Sequence, residues 1–529
     1  MLDGRRAAIA VSAAAILLAT ALFRFLELRG FPNDQFEHLA GAQQILMGEW
    51  PNRDFFDPGM PLTYLTSAVA QLLLGRTLFA EAILTSVAFG VAAAITMIGA
   101  TRLSRSLLVG IVAAVFCVAI FPRPYTYPKA LVCAVGPLVM WAWLARPSLA
   151  RTIGLAFTSV VAFLFRYDYG VYLGAAAVLT TLLAPAESWR PRVARAAKLC
   201  LFIAIMLSPY ALYIQATEGM ATAVAGVLEY GARHADRTKL DFFNLTWGPE
   251  LALFYGFHAL PMIALIWCGI ERLRRRPIDA EVVLPLALLT ILVNVGFLRD
   301  PLSARLPDAV VPVTFVGAWL SGRAAALSTR IVRVTAVACA AMLAALGANA
   351  VIGAANLSEH VIRTRLTGRE DIVRLLERKT GELVDRFSRQ QIPDARVIPL
   401  FPLFEYVGRC TTTAHRLLVT SYAPELYVYS RRMFAGGQKV FMEGYQNGPR
   451  DQQRTIDRMK RQTTLLVIAP SDVYEEWQRG FAQVNAYVRT EFRPLVDIPI
   501  SDERAWHVLI NQGLPPVRTD AQTGWPCYR

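Results

Sequence analysis

Asp34, Glu37, His38, Asp54 and Asp57, all able to move protons, crowd into 24 positions. Asp34, Glu37 and His38 follow i, i+3, i+4 spacing, so a helix beginning near Asn33 places all three on one face. A carboxylate held there can take the proton of a hydroxyl while the oxygen attacks an electrophilic carbon. A plainer reading competes, in which Asn33 or Asp34 caps a helix and Glu37 completes the capping box. The complementary chemistry, holding an oxyanion, falls to cations beside aromatic or proline residues. These are Arg123-Pro-Tyr125-Thr-Tyr127-Pro-Lys129, Phe165-Arg166-Tyr-Asp168-Tyr169 and Arg299-Asp-Pro-Leu-Ser-Ala-Arg305. Guanidinium and ammonium groups suit a phosphate, although the same residue types also anchor helices at a membrane surface.

The elements that must position these groups are set by composition. Of 529 residues 55% are apolar and 18% charged, and the mean hydropathy is +0.38, which calls for a bilayer as solvent. The formal charge of +14 lies in short clusters between apolar runs, where it orients helices, so nucleic acid is not an expected partner. Apolar runs occur near 7–26, 80–101, 107–122, 130–145, 152–166, 170–184, 199–215, 250–270, 281–298, 309–321 and 334–352. The first has no small-x-small cleavage site after it and is expected to remain as an anchor.

A further stretch, Pro61–Gly75, decides the topology. If it does not cross and the N-terminus is cytoplasmic, the clusters at Arg102/Arg105, Arg146/Arg151, Arg190–Lys198, Glu271–Arg276 and Arg323–Arg333 all fall inside. If it crosses, they all move outside. The positive-inside rule favours the first arrangement, with residues 61–75 lying as an interfacial helix. The expected fold is a polytopic α-helical membrane protein with about eleven crossings. Residues 1–352 form the membrane domain, including a first outer loop at 28–60, and 353–529 form an outer α/β domain. In that tail, Ile362–Phe387 reads as an amphipathic helix, Val397–Phe401, Leu417–Thr420, Thr464–Ala469 and Trp506–Ile510 as strands, and Arg450–Arg461 as a helix.

The topology gathers the candidate groups on the outer side. The segment Glu218–Glu250, with Arg233 and His234, could close over a pocket as a lid and join His38 and Asp54 in acceptor recognition; a solvated loop of mixed charge is the simpler reading. No His or Cys spacing suits a metal, and neither metal nor other cofactor is expected. Cys410 and Cys527, the two cysteines of the tail, are free to form a bridge if the tail is outside the cytoplasm. Ala435-Gly-Gly437 is too short for a phosphate loop, and no catalytic motif is visible in the tail.

The order of one crossing, an Asp34-x-x-Glu37-His38 helix, a Gly48-x-Trp50-Pro51 turn and Asp57-Pro-Gly-Met-Pro-Leu-Thr-Tyr64 entering an apolar helix resembles the GT-C glycosyltransferases. It is most similar to the protein O-mannosyltransferase and lipid A aminoarabinose transferase group. The resemblance covers roughly residues 5–185 by motif and the rest by architecture. It implies an inverting transfer of a sugar from a polyprenyl-phosphate donor to a lipid, glycan or protein acceptor. The enzyme would lie in a bacterial inner membrane with its tail periplasmic, among membrane lipids. It further implies that Asp34 is the catalytic base or acceptor-positioning carboxylate, that Asp57 matches the second acidic position, and that no metal is essential. At Asp57 the chain departs from the family, with Asp-Pro-Gly-Met-Pro where many members have a proline pair. Glu37 completes the acidic set, and Tyr125, Tyr127, Lys129, Arg166, Asp168, Arg299 and Arg305 become donor-side candidates.

Two other classes fit the same composition. A lipid-linked glycan transporter or flippase would place polar residues at mid-bilayer depth, whereas here most lie at run ends. A membrane-anchored assembly protein would act through its tail alone.

Overall fold

The computed structural model describes all residues except 1, 184–187, 238–247, 274–279, 299–301, 367, 369, 386–394 and 443, and leaves aside the side chains of 2, 3, 230, 233–237, 272, 280 and 281. Each of the eleven apolar runs contains a helix, with residues 120–122 and 166 falling outside it and Val295–Leu298 forming a 3-10 helix. Among the described residues six helices are long and apolar enough to cross a bilayer: Gly4–Glu27, Leu78–Ser104, Pro124–Ala145, Trp189–Thr217, Pro249–Glu271 and Arg330–Ala354. The chain therefore has the fold class of a polytopic helical membrane protein with a small sheet near its C-terminus.

Two compact units divide the chain, and they do not follow its order. The first comprises Met1–Leu28, Ala82–Ala211 and Thr238–Leu376, the second Arg29–Glu81, Leu212–Arg237 and Glu377–Arg529. The first unit is a helical bundle around Trp143, Leu155, Leu173, Leu286, Phe315 and Trp319, all at most 3% exposed. Serine side chains start two of its helices, Ser106 accepting from Val109 N and Ser148 from Arg151 N. The Arg330–Ala354 helix, by contrast, leaves its apolar window unburied, which suits lipid as its neighbour.

The second unit carries a four-stranded sheet in the order β1-β2-β4-β3: β1 Arg416–Val419, β2 Thr464–Pro470, β3 Phe492–Ser501 and β4 Arg504–Asn511. β1 and β2 run parallel, and the other pairs are antiparallel. A two-stranded ribbon, β5 Arg518–Thr519 and β6 Pro526–Cys527, follows. Strands expected at Leu417–Thr420, Thr464–Ala469 and Trp506–Ile510 appear as β1, β2 and β4. Val397–Phe401 does not form a strand: Ala395–Leu400 is a 3-10 helix leading into the Phe401–Cys410 helix. Short apolar runs fit either state, and Pro399 and Pro402 remove the amides a ladder would need.

β3 is the strand that periodicity overlooks. It is an edge strand with Pro494 and Pro499, irregular in register beside each, and the edge is where a sheet tolerates proline. The helix expected over Ile362–Phe387 is two helices, Leu357–Thr364 and Ile372–Val384, the first ending at Arg365 in the left-handed region. Cys410 and Cys527 are disulfide-bonded, tying the Phe401–Cys410 helix to β6.

Candidate functional site

In the second unit the first loop folds into the helices Asn33–Leu46 and Pro61–Leu74, and the tail packs on both. The start of the first helix is not capped by Asn33, Asp34 or Glu37; Pro32 occupies the cap with no side-chain hydrogen bond. The carboxylates are committed to the tail instead. The Tyr422 hydroxyl donates to Asp34 Oδ1, and Asn33 Nδ2 donates to the Tyr422 carbonyl at 3.0 Å. Glu37 forms an ion pair with Lys439, Nζ to Oε1 3.1 Å. Lys439 is 2% exposed, donates to the Tyr64 hydroxyl and lies 4.2 Å from the Tyr64 ring centroid. Tyr64 fits beside the first helix because residue 41 is glycine: a Cβ there would stand 2.8 Å from its ring.

Asp57 shapes the entry to the second helix. Its Oδ1 accepts from the amides of Gly59 at 2.9 Å and Met60 at 2.8 Å, while its Oδ2 is buried without a hydrogen-bond partner among the described residues. Burial pushes its carboxyl above the ordinary range, against the lowering effect of the two amides and of Lys439, and the negative charge of Glu37 adds to the rise. Glu81 lies beneath the same loop, fully buried, accepting from Gln35 Nε2 and from Ser67 Oγ at 3.0 Å. His38 is buried with its ring 6.0 Å from that of Tyr64. Asp54 closes a local turn, accepting from Trp50 N and Arg53 Nε, both at 2.8 Å.

The tail is joined to this loop at many further points. Gln43 Nε2 donates to the carbonyls of Tyr427 and Arg432, Arg416 pairs with Glu49 at 2.5 Å, and Phe56 N donates to the Gly437 carbonyl. Gly436 and Gly437 have φ of +71° and +72°, and a Cβ on Gly437 would come within 2.6 Å of the Asp54 carbonyl. Ala435-Gly-Gly437 is thus the close approach that delivers Lys439. The third stretch of the unit joins in through Tyr213, which donates to the Pro51 carbonyl at 2.7 Å, and Glu218, which pairs with Arg454 at 2.6 Å. Arg233 and His234 fall in the Met220–Arg237 helix, but their side chains lie outside the described residues.

The three cationic segments belong to the first unit, where two of them meet. Lys129 forms a buried ion pair with Asp308, and its ammonium lies 5.7 Å from the Tyr169 ring. Arg166 binds Asp168 through two nitrogens, Nε to Oδ1 at 3.1 Å and Nη2 to Oδ2 at 3.2 Å. Tyr125 and Tyr127 are buried at the turn opening the Tyr127–Ala145 helix. Arg299 lies outside the described residues. Arg305 stands before the Leu306–Ala325 helix, its Nε buried without an acceptor, and forms no ion pair among the described residues. No group of three His, Cys, Asp or Glu side chains suited to a metal occurs among the described residues.

Sequence reasoning missed Tyr422, Lys439, Asp308, Gln35 and Glu81. Only Lys439 leaves a local signal, following a Gly-Gly pair that marks a close backbone approach. The others are single polar residues whose partners are remote in the chain.

No protein-family model matches the chain, and no curated protein matches it. Among solved structures the chain is similar to ArnT from Cupriavidus metallidurans bound to undecaprenyl phosphate. The similarity spans 96% of this chain and 98% of the other at 13% identity, with a TM-score of 0.48. A likeness at that level assigns no residue a role.

Proposed function

We propose that the chain is an inverting glycosyltransferase of GT-C type, using a polyprenyl-phosphate sugar as donor and a lipid, glycan or protein hydroxyl as acceptor on the outer side of the membrane. The observation that carries the reading is the acidic loop: Asp34 is half-buried and oriented through one oxygen by Tyr422, beside Glu37, Lys439 and Tyr64 in a single compact unit. In this reading Asp34 takes the acceptor proton as the acceptor oxygen bonds to the anomeric carbon. The carbon–oxygen bond to phosphate breaks on the opposite face, and polyprenyl phosphate leaves. The leaving group needs no acid, unlike the alcohol released in glycoside hydrolysis. Its charge falls to cations. Among the donor-side candidates of the first unit, Lys129 and Arg166 are already paired with Asp308 and Asp168, whereas Arg305 forms no ion pair among the described residues.

The test is release of polyprenyl phosphate by the purified full-length protein from a radiolabelled polyprenyl-phosphate hexose, with membrane extract as acceptor source. The wild type should transfer label, and folded Asp34→Asn should not. Wild-type transfer by that variant would remove Asp34 as base, and glycan translocation across vesicles without a new glycosidic product would favour the flippase reading.

A further inference from the structure

Arg24 is a buried cation of the first unit that no carboxylate meets. It stands in the last turn of the Gly4–Glu27 span, is 6% exposed and forms no ion pair among the described residues. Its Nη2 donates to the Pro122 carbonyl at 2.6 Å, whereas Nη1 is buried with no hydrogen-bond partner among the described residues. The carboxylate nearly one turn on, Glu27, is held by His360 Nδ1 at 2.6 Å and Arg363 Nη1 at 3.4 Å. Two rings flank the guanidinium, whose carbon lies 4.6 Å from the Phe89 centroid and 4.0 Å from that of Phe121. Ring faces attract a cation but carry no net charge to balance it, and an arginine does not shed its proton. An unbalanced charge inside a membrane span is costly and marks a site.

Arg24 lines a small cavity, and Thr20, one turn earlier on the same face of the helix, lines it too. Thr20 is 5% exposed, and its hydroxyl donates no hydrogen bond among the described residues. The other threonine of the wall, Thr96, is committed to the Ala92 carbonyl at 2.8 Å. The rest of the lining is apolar, with Ala92, Val118 and Val310 among it, and includes no acidic side chain. Two donors one turn apart, one of them charged, therefore share a space without an acidic partner. The cavity is about 20 Å³, room for one water-sized particle and too little for a lipid headgroup. A water there would accept from both donors and leave the charge unbalanced.

We propose that this cavity binds one small monovalent anion, such as chloride, which accepts from Arg24 Nη1 and the Thr20 hydroxyl and balances the guanidinium. The anion braces a junction of three segments. Phe121 lies between Arg24 and His360, whose ring is stacked on it at 3.5 Å, so the first helix, the turn at Phe121–Pro122 and the Leu357–Thr364 helix meet at this charge. Phe121 holds a φ of +56° there, a costly conformation for a bulky residue that its surroundings must enforce. The site belongs to the first unit, whereas the acidic loop belongs to the second, and it does not depend on the reaction proposed above.

The experiment melts full-length protein in phosphatidylcholine nanodiscs while sodium bromide replaces sodium gluconate at fixed ionic strength, and locates bromide in crystals by anomalous scattering. Wild type should melt about 2–4 °C higher in saturating bromide, with a bromide peak beside Arg24. R24Q should lose both the shift and the peak. T20V, which keeps the charge, should raise the bromide concentration at half effect about tenfold, the scale of one hydrogen bond to a charged partner. R450Q, on an exposed tail helix, should respond as wild type. If R24Q proves unfolded, T20V decides in the same assay. A wild-type melting temperature indifferent to bromide overturns the proposal, as does an undiminished response in R24Q or T20V. Equal loss in R450Q, or crystals with no bromide beside Arg24, would also overturn it.

Discussion

Both units hold cation–carboxylate pairs, but the second also contains carboxylates, Asp34 and Asp57, that form no ion pair among the described residues. In the first, cations meet carboxylates: Lys129 with Asp308, 179 residues apart, and Arg166 with Asp168. In the second, Asp34 and Asp57 are answered by neutral donors, a tyrosine hydroxyl and two backbone amides, and Lys439 is committed to Glu37. A closed pair inside a bundle fixes the helices that supply it and has little left to offer a substrate. A carboxylate oriented only by a hydroxyl keeps its capacity to accept a proton. The difference separates charge that holds the structure from charge available for chemistry.

The contrast is open to attack by mutation. Asp34→Asn should reduce sugar transfer by about a thousandfold, the scale of a general base, with an unchanged melting temperature; a parallel loss of stability would place Asp34 with the structural charges. Lys129→Ala should do the reverse, destabilising the protein by about 3–5 kcal/mol because Asp308 is left buried and unpaired. Lys129→Met with Asp308→Leu should recover most of that loss in the same denaturation assay, and a silent single variant would show that the pair does not bind the bundle together. Replacing Cys410 and Cys527 by serine should cost about 2–4 kcal/mol, since the bridge joins residues 117 apart. Proteolysis of the tail should report it as faster cleavage.

Tyr422→Phe should lower transfer about tenfold and stability by about 1 kcal/mol, one hydrogen bond's worth. Equal rates for the two proteins would free Asp34 from any need of orientation by the tail. The smallest effect belongs to Asp57→Asn, and its sign depends on pH. The folded protein holds the Asp57 proton more tightly than the unfolded chain does, so this group favours folding most below its ordinary value of 3.8 and progressively less as pH rises above it. Asparagine can still accept the Gly59 and Met60 amides without bearing charge. The variant should therefore gain stability relative to wild type between pH 4 and pH 7, by less than about 1 kcal/mol. A gain that shrinks with rising pH would contradict the burial argument.

Much of this arrangement was legible in the sequence where distances along the chain are short. The acidic loop announces itself because its carboxylates fall within one helical turn and the adjoining turn. The apolar runs became helices because hydropathy is a local property. What stayed hidden was long-range. Asp34, Asn33 and Glu37 look like a capping box when read alone, and only the fold shows that Pro32 takes the cap while Tyr422 and Lys439 claim the side chains. Asp308 looks like a first-turn helix acid until Lys129 is seen against it. β3 was missed because its two prolines argue against a strand unless the edge position is known.

The composite second unit has a consequence in time. Lys439 follows Tyr64 by 375 residues, which ribosomes take roughly 20 to 75 s to add at ~5–20 residues per second. Throughout that interval the first loop has left the ribosome without Tyr422 and Lys439, the residues that hold Asp34 and Glu37. A nascent chain stopped before the tail would hold Asp54 and Asp57 in their local turns but leave Asp34 and Glu37 without these partners, so the setting of those two acids waits on the last third of the polypeptide.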